Sequence, residues 1–340
     1  MRLLFIGFGT VGQGLAELLV LKKEVLSNTY GLDIQVVGIA DKIKGSVTNP
    51  EGINLSDVLE KVSGGGDLSD LPASKFEGDA LDMIQQVEAD VMFEATYTDI
   101  ETGEPATSHI RKAMERGMHV VTTNKGPVAL HYKELKELAE EKGVRFLFEG
   151  TVMSGTPLIN FIRENLAGCD IQEIKGILNG TTNYILTRME EGISYEPALK
   201  KAQELGYAEA VPDADVLGWD ALAKVTILAK YVFEADGKPF DYPCEGITGI
   251  TATSITEAKS RNKRFKLIGK VWREGSIVKA SVAPEEIDLT HPLASIMGAT
   301  NAVTITTDTL GDVTVVGPGA GKEATGYSML VDLIAIGGQK

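Results

Sequence analysis

Arg2-Leu3-Leu4-Phe5-Ile6-Gly7-Phe8-Gly9-Thr10-Val11-Gly12 is the stretch that decides the fold. Arg2 to Ile6 is a short apolar run, the outline of a buried parallel strand. The glycines that follow are spaced G-x-G-x-x-G, and a helix is predicted from Val11 to about Val25. Gly7 permits the tight turn, Gly9 lets a pyrophosphate touch the backbone, and Gly12 lets the helix pack on the strand. The helix N-terminus then faces the phosphates. The glycine pattern alone is weak. After a strand and before a helix it marks a dinucleotide site built from Gly7, Phe8, Gly9, Thr10, Val11 and Gly12.

Reading outward, a second strand runs from Ile34 to Ala40 and ends at Asp41. An acid there binds ribose hydroxyls, which argues for NAD. Lys42 and Lys44 follow at once and would neutralise a 2′-phosphate, which argues for NADP. Both cofactors stay open. Asn49 to Lys75 reads as a helix, Leu55 to Val62, followed by a mobile loop around Gly64-Gly65-Gly66. Asp90 to Thr96 is a further strand, and ligands in such sheets sit beyond carboxyl ends of strands. That puts Thr96 and Tyr97 on the nicotinamide side, unless Thr96 simply caps the next helix. A helix (Thr107 to Arg116), a strand (His119 to Thr123), the closing Asn124-Lys125-Gly126-Pro127, a helix (His131 to Lys142) and a strand (Arg145 to Glu149) complete the pattern. The first part is therefore expected to be α/β, a Rossmann-type doubly wound parallel sheet.

The 340 residues suffice for two domains with real cores. Net charge is −15, which opposes binding to nucleic acid or an anionic membrane. The two cysteines, Cys169 and Cys244, form no CxxC pair and are too few for a disulfide framework. A reducing, cytoplasmic setting is expected. The four histidines, at 109, 119, 131 and 291, lack metal-ligand spacing. The apolar run after Arg2 breaks at Gly7, so it is no signal peptide, and no apolar run is long enough to span a membrane.

A second stretch carries the chemistry. Ala202 to Lys224, AQELGYAEAVPDADVLGWDALAK, sets Glu209, Asp213, Asp215 and Asp220 within twelve residues, and Lys224 stands four beyond Asp220. A single helix from about Asp213 to Val232 would put Asp213, Asp220 and Lys224 on one stripe. An Asp–Lys pair at that spacing is ordinarily a solvated surface pair. Gly206 and Gly218, where a surface helix would carry Ala, hint at close approach by another group.

The spacing A-x3-G-Y-A…P-x2-D-V-x-G-x-D-x3-K, read as Ala202, Gly206, Tyr207, Ala208, Pro212, Asp215, Val216, Gly218, Asp220 and Lys224, resembles the signature of homoserine dehydrogenases. One departure is Val211, where the family usually has a polar residue before the proline. Thr122 to Pro127 resembles the family's T-x-N-K-G-P and implies a functional Lys125. Glu149 to Pro157 resembles E-A-T-V-x-x-G-x-P, a loop able to hold a structural monovalent cation such as Na+ at Glu149, Val152, Ser154 and Thr156. Gly176 to Leu186 resembles G-I-L-N-G-T-T-N-Y-I-L and implies that Asn179 and Thr181 lie by the substrate.

After Glu149 the pattern changes. Strands Ile171 to Leu178, Phe265 to Trp272, Ile277 to Val282 and Ala302 to Thr307 predict an α+β domain with a mixed, mostly antiparallel sheet. Val313 to Val316 leads into Gly317-Pro318-Gly319-Ala320-Gly321, and a last helix, Glu323 to Ile336, returns to the first domain. Gly321 and Glu323 would then approach the cofactor. The expected domains are 1–150, completed by 308–340, and 151–307 for substrate binding and dimerisation. The resemblance implies a homodimer or homotetramer; from the extent of the chain, no regulatory domain after Lys340 and no kinase domain before are expected.

It also implies reversible NAD(P)-dependent interconversion of L-homoserine and L-aspartate 4-semialdehyde, in threonine, methionine and isoleucine biosynthesis. Lys224 would move the proton, with Lys125 as a flanking cation. Glu209 and Asp220 would bind the substrate ammonium and hydroxyl, with Tyr207 beside them, and Asp215 would orient Lys224 or the substrate. Aspartate-semialdehyde dehydrogenase is an alternative on the same scaffold, but neither cysteine stands where a nucleophile would. A non-catalytic dinucleotide sensor that binds DNA is opposed by the charge.

Overall fold

The computed structural model describes residues 1–338. Two compact units divide after Gly155 and again after Ala320, so the segment from Gly321 onward belongs with the first.

The first unit begins β1 (Arg2–Ile6), α1 (Thr10–Leu21), α2 (Lys23–Tyr30), β2 (Gln35–Asp41), β3 (Gly45–Thr48), α3 (Leu55–Ser63), β4 (Ser74–Lys75) and α4 (Ala80–Gln86). It continues β5 (Val91–Glu94), α5 (Ala106–Glu115), β6 (His119–Thr122), α6 (Lys125–Lys142) and β7 (Phe146–Leu147). The sheet order is β4-β3-β2-β1-β5-β6-β7. From β2 to β7 every pairing is parallel. Such strands are buried on both faces, which is why β1, β5 and β6 read as unbroken apolar runs. The strand order reverses between β1 and β5, the place where doubly wound sheets bind ligands.

The sequence misplaced several details. β3 and β4 add an antiparallel edge that was not expected: β3 precedes Asn49, and β4 closes the stretch expected to be a mobile loop. They are four and two residues long and rich in Gly and Ser, too short to show a period. The expected helix Val11 to Val25 is two helices meeting at Lys22, whose backbone N–H closes on Leu18 O and Val20 O. The helix expected from His131 starts at Lys125 and bends at His131 (φ −125°, ψ 15°).

The second unit holds β8 (Ile171–Ile177), α7 (Gly180–Glu190), α8 (Tyr195–Glu204), α9 (Asp213–Val216), α10 (Trp219–Phe233) and α11 (Ala252–Ser260). Then come β9 (Lys263–Glu274), β10 (Ile277–Asp288), β11 (Thr300–Thr307) and β12 (Gly311–Pro318). The sheet order is β10-β9-β8-β11-β12; each ladder is antiparallel, and an isolated parallel bridge joins Cys244 to Val282 on β10. Val313 to Val316, expected as a lead-in, is the middle of edge strand β12. For that reason 308–320 stays with this unit instead of joining the first, as the expected boundary at 308 had it; of that expected segment, 339 and 340 lie outside the described residues.

α12 (Lys322–Gly337) packs along α1 in the first unit, where Met329, Leu330 and Leu333 share a core with Leu15, Leu18 and Leu19. Gly14 and Gly326 set the closeness: a Cβ on Gly326 would lie 2.5 Å from the Gly14 carbonyl carbon.

Candidate active site

In the first unit the carboxyl ends of β1, β2, β5 and β6 build a dinucleotide cleft. Gly7 (φ +91°) is obligatory, since a Cβ there would lie 2.5 Å from the Ala95 carbonyl. A Cβ on Gly12 would lie 2.7 Å from the Gly7 oxygen. A Cβ on Gly9, by contrast, would meet no protein atom. Packing within the chain does not require that glycine, whereas close approach of a phosphate does. Gly9 also caps α1 with no side-chain acceptor, and no acid stands in the first turn. Its orphan N–H groups therefore suit an anion. Phe8 is buried core, and Thr10 and Val11 open the helix.

Asp41 anchors the far side. Its Oδ2 accepts from Phe8 N at 2.8 Å, and its Oδ1 accepts from Ile43 N and Lys44 N, each at 3.0 Å. Burial pushes this carboxyl up, but the three N–H donors and the Lys44 ammonium together hold it below its ordinary value. Lys44 turns inward at 3.9 Å, while Lys42 is exposed.

At β5 and β6, Asn124 caps α6 through Gly126 N and donates to the Tyr97 carbonyl at 2.9 Å. Lys125 is the first residue of that helix, and Tyr97 is exposed. Thr96 caps no helix, because α5 starts only at Ala106; its hydroxyl goes to Glu94. Glu94, which the sequence reading passed over, is fully buried, accepts from Thr122 Oγ1 at 3.2 Å and lies 3.7 Å from His109 Nδ1. Its signal was one acid closing an apolar strand. Gly321 caps α12 without a side-chain bond, and Glu323 is in the first turn.

The second unit gathers the acids and the lysine. The expected helix from Asp213 is broken at Gly218 (φ +86°), so Asp213, exposed at the start of α9, leaves the stripe. The break lets Asp215 and Asp220 converge on one amide: Asn179 Nδ2 donates to Asp215 Oδ1 at 2.6 Å and Asp220 Oδ2 at 2.9 Å. The Asn179 Oδ1 caps α7 through Thr182 N at 2.9 Å. Lys224, only 7% exposed, donates from Nζ to Asp220 Oδ2 at 2.8 Å and to the Leu178 carbonyl at 2.7 Å. The acid that holds Lys224 directly is Asp220; Asp215, expected to orient Lys224 or the substrate, reaches the same group through Asn179. Burial, and then the Asp220 charge, push Asp215 up against the opposing effects of Asn179, Lys224 and Thr181.

Thr181 Oγ1 donates to the Tyr207 carbonyl at 2.5 Å, and the Tyr207 ring packs on Tyr184. Glu209 follows two residues later, exposed, and its carboxylate has no bonded partner among the described residues. Gly206 (φ +74°) meets no neighbour; it closes α8, with Tyr207 N on Ala202 O at 2.9 Å. Its glycine serves conformation, not close approach. The Leu178 carbonyl was invisible beforehand, since every residue carries one.

Along the expected cation loop, Glu149 and Val152 are buried, and Ser154 (φ +53°) shares a hydroxyl bond with Thr325. Thr156 donates to the Pro318 carbonyl at 2.8 Å. Among the described residues no group of three or more His, Cys, Asp or Glu could hold a metal ion, and no helix is long and apolar enough to cross a membrane.

A glycine-rich strand–turn–helix at the switch point of a parallel sheet defines a dinucleotide-binding protein. Comparison with known proteins makes this specific. The homoserine dehydrogenase family profile matches residues 157–334, and the profile for the NAD binding domain of homoserine dehydrogenase matches residues 7–149. An NAD(+)-dependent homoserine dehydrogenase of Pseudomonas canavaninivorans is 44% identical, covering 98% of this chain and 96% of that one. A solved structure from Archaeoglobus fulgidus superposes with a TM-score of 0.89 at 38% identity over 100% of both chains. A mutant hyperthermophilic archaeal homoserine dehydrogenase in complex with NADPH gives 0.85 at 30% identity, covering 98% of this chain and 97% of that one. The chain belongs to the homoserine dehydrogenase family.

Proposed function

We propose that this protein interconverts L-homoserine and L-aspartate 4-semialdehyde with NAD(P), and that Lys224 moves the substrate proton. The observation that carries the role of Lys224 is its clamp. Two of the three ammonium N–H groups are spent on Asp220 and the Leu178 carbonyl. One donor remains to meet a substrate oxygen. Hydride chemistry is supplied by NAD(P) when bound, the first unit holding it at Gly7 to Gly12 and Asp41. In the oxidation of homoserine, neutral Lys224 takes the hydroxyl proton; in the reverse direction its ammonium returns one to the carbonyl oxygen. Asn179 fixes Asp215 and Asp220, and the exposed Glu209 carboxylate suits the substrate ammonium. Lys125 contributes a second cation at the end of β6. The Glu149 carboxylate, the Val152 carbonyl and the Ser154 hydroxyl, with Thr156 next along the chain, are oxygen donors of the kind that suits a hard, structural monovalent cation.

A cysteine-based dehydrogenase is disfavoured. Burial pushes the Cys244 thiol up, and its Sγ donates to the Leu217 carbonyl at 3.4 Å, the reverse of an activated thiolate. Two free cysteines fit a reducing cytoplasm. Exposed Ile277 and Val316, on edge strands β10 and β12, support assembly of a homodimer or homotetramer through this sheet. The test is Lys224→Ala with homoserine and either cofactor, followed by nicotinamide absorbance. Turnover should vanish while cofactor affinity holds; near-normal turnover would remove Lys224 from the chemistry.

A further inference from the structure

The carbonyl that grips Lys224 has a second partner. Leu178 O also accepts from Asn301 Nδ2 at 3.0 Å, across from β8 on β11. Asn301 is fully buried. Its Oδ1 is buried as well and has no hydrogen-bond partner among the described residues. An orphaned buried acceptor is a cost that an apolar residue of the same shape would remove. Stability therefore does not account for this amide. Nor can it turn over, since Oδ1 would then face the Leu178 oxygen, acceptor against acceptor. Space for it is kept by glycines: a Cβ on Gly319 would collide with the amide, and one on Gly180 would lie 3.3 Å from Oδ1.

We propose that Asn301 is a positioning residue that weakens the hold of the Leu178 carbonyl on the Lys224 ammonium, and so sets the proton affinity of Lys224. This rests on Lys224 moving the substrate proton. A carbonyl oxygen has two lone pairs, and the Asn301 N–H occupies one of them. The positive end of the amide dipole also sits beside the oxygen to which the ammonium is bound. Both effects disfavour the charged lysine. They oppose Asp220 on the same helix and Asp215 on α9. From beyond the end of β8 comes the Leu178 carbonyl, and from β11 the Asn301 amide that bonds to it.

The test is the pH dependence of kcat for homoserine oxidation at saturating substrate and cofactor, in wild type, Asn301→Leu and Asn301→Asp. The acid limb reports loss of the ammonium proton. In Asn301→Leu it should move to higher pH by roughly half to one unit, about a 3- to 10-fold loss of rate on the limb, with the high-pH plateau retained. Asn301→Asp keeps the shape and brings an oxygen where the donor stood, so it should move the limb the same way even if the leucine variant fails to fold. A limb that stays put in a folded variant, with rate lowered evenly at all pH, would make Asn301 merely structural and overturn the proposal. Lys224→Ala separates the two readings. If it is inactive while the limb is unmoved, Asn301 alone fails; if it keeps turnover, the role of Lys224 itself fails.

Discussion

Asp215 and Asp220 stand on different helices, yet a single nitrogen, Asn179 Nδ2, donates to both, at 2.6 and 2.9 Å. Two carboxylates drawn to one neutral amide repel each other, and the half-buried one, Asp215, is pushed toward its protonated form. Lys224 offsets that repulsion by binding Asp220. A further cationic group beside Asp215 would offset it more.

Replacing Asp215 by Asn should stabilise the fold at neutral pH while lowering turnover by about 100-fold or more. The sign follows from its raised value. Folded Asp215 holds its proton more tightly than the unfolded chain, so its contribution to stability is full below the ordinary carboxyl range and lost as pH rises through the folded value. The variant should therefore melt higher at pH 7, with the gap closing below about pH 4. A lower melting temperature at neutral pH would contradict this.

Glu209→Leu should raise the homoserine Michaelis constant by roughly 10- to 100-fold with kcat largely kept, because it removes a contact made equally in ground and transition states. Steady-state kinetics at fixed cofactor decide the point. An unchanged constant would take Glu209 out of the substrate site.

Gly218 and Gly206 make a matched pair. Both have positive φ, but a Cβ on Gly218 would lie 3.1 Å from Cys244 Sγ and 3.2 Å from Val282 Cγ1, whereas Gly206 faces open space. Gly206→Ala should cost about 1 kcal/mol and leave activity intact. Gly218→Ala should cost more, about 2 kcal/mol, and depress turnover by tilting Asp215 away from Asp220. Chemical denaturation and kinetics on both variants check the contrast, and equal activity in the two would refute it.

Lys266 is a second buried lysine, held by Asn183 Oδ1 at 2.8 Å and by the Ile296 carbonyl. Burial lowers it to about 8, with Glu190 opposing and Arg264 assisting the shift. The unfolded chain binds this proton more tightly, so stability from this group is present above about pH 10.4 and lost as pH falls through about 8. Against Lys266→Met, the wild type should gain on the order of 2–3 kcal/mol between pH 8 and 10.5. Parallel stability curves for the two proteins would show that Lys266 is not depressed.

How much was legible beforehand depended on reach along the chain. The Gly7–Gly12 turn was readable because its demands fall on consecutive residues. Asp41 could be assigned because a strand end fixes where its side chain emerges. β3 and the edge strands β4 and β12 escaped because two to eight residues, with Gly, Ser and Thr among them, carry little periodic signal. The break at Gly218 was hidden by a sequence that satisfies helical spacing on both sides. The tertiary structure shows the positive φ of Gly218 and the closeness of Cys244 and Val282 to any Cβ placed there.

The sequence by itself determined the dinucleotide turn, the parallel and antiparallel halves, and the residue types of the acid–lysine group, since each follows from local backbone geometry or from the period of apolar positions. The tertiary structure alone decided that Asp220, not Asp215, holds Lys224, and that one carbonyl, Leu178, is shared by Lys224 and Asn301. Main-chain oxygens are chemically alike in every residue. Only the path of the chain selects which of them meets an amine 46 residues away and an amide 123 residues away.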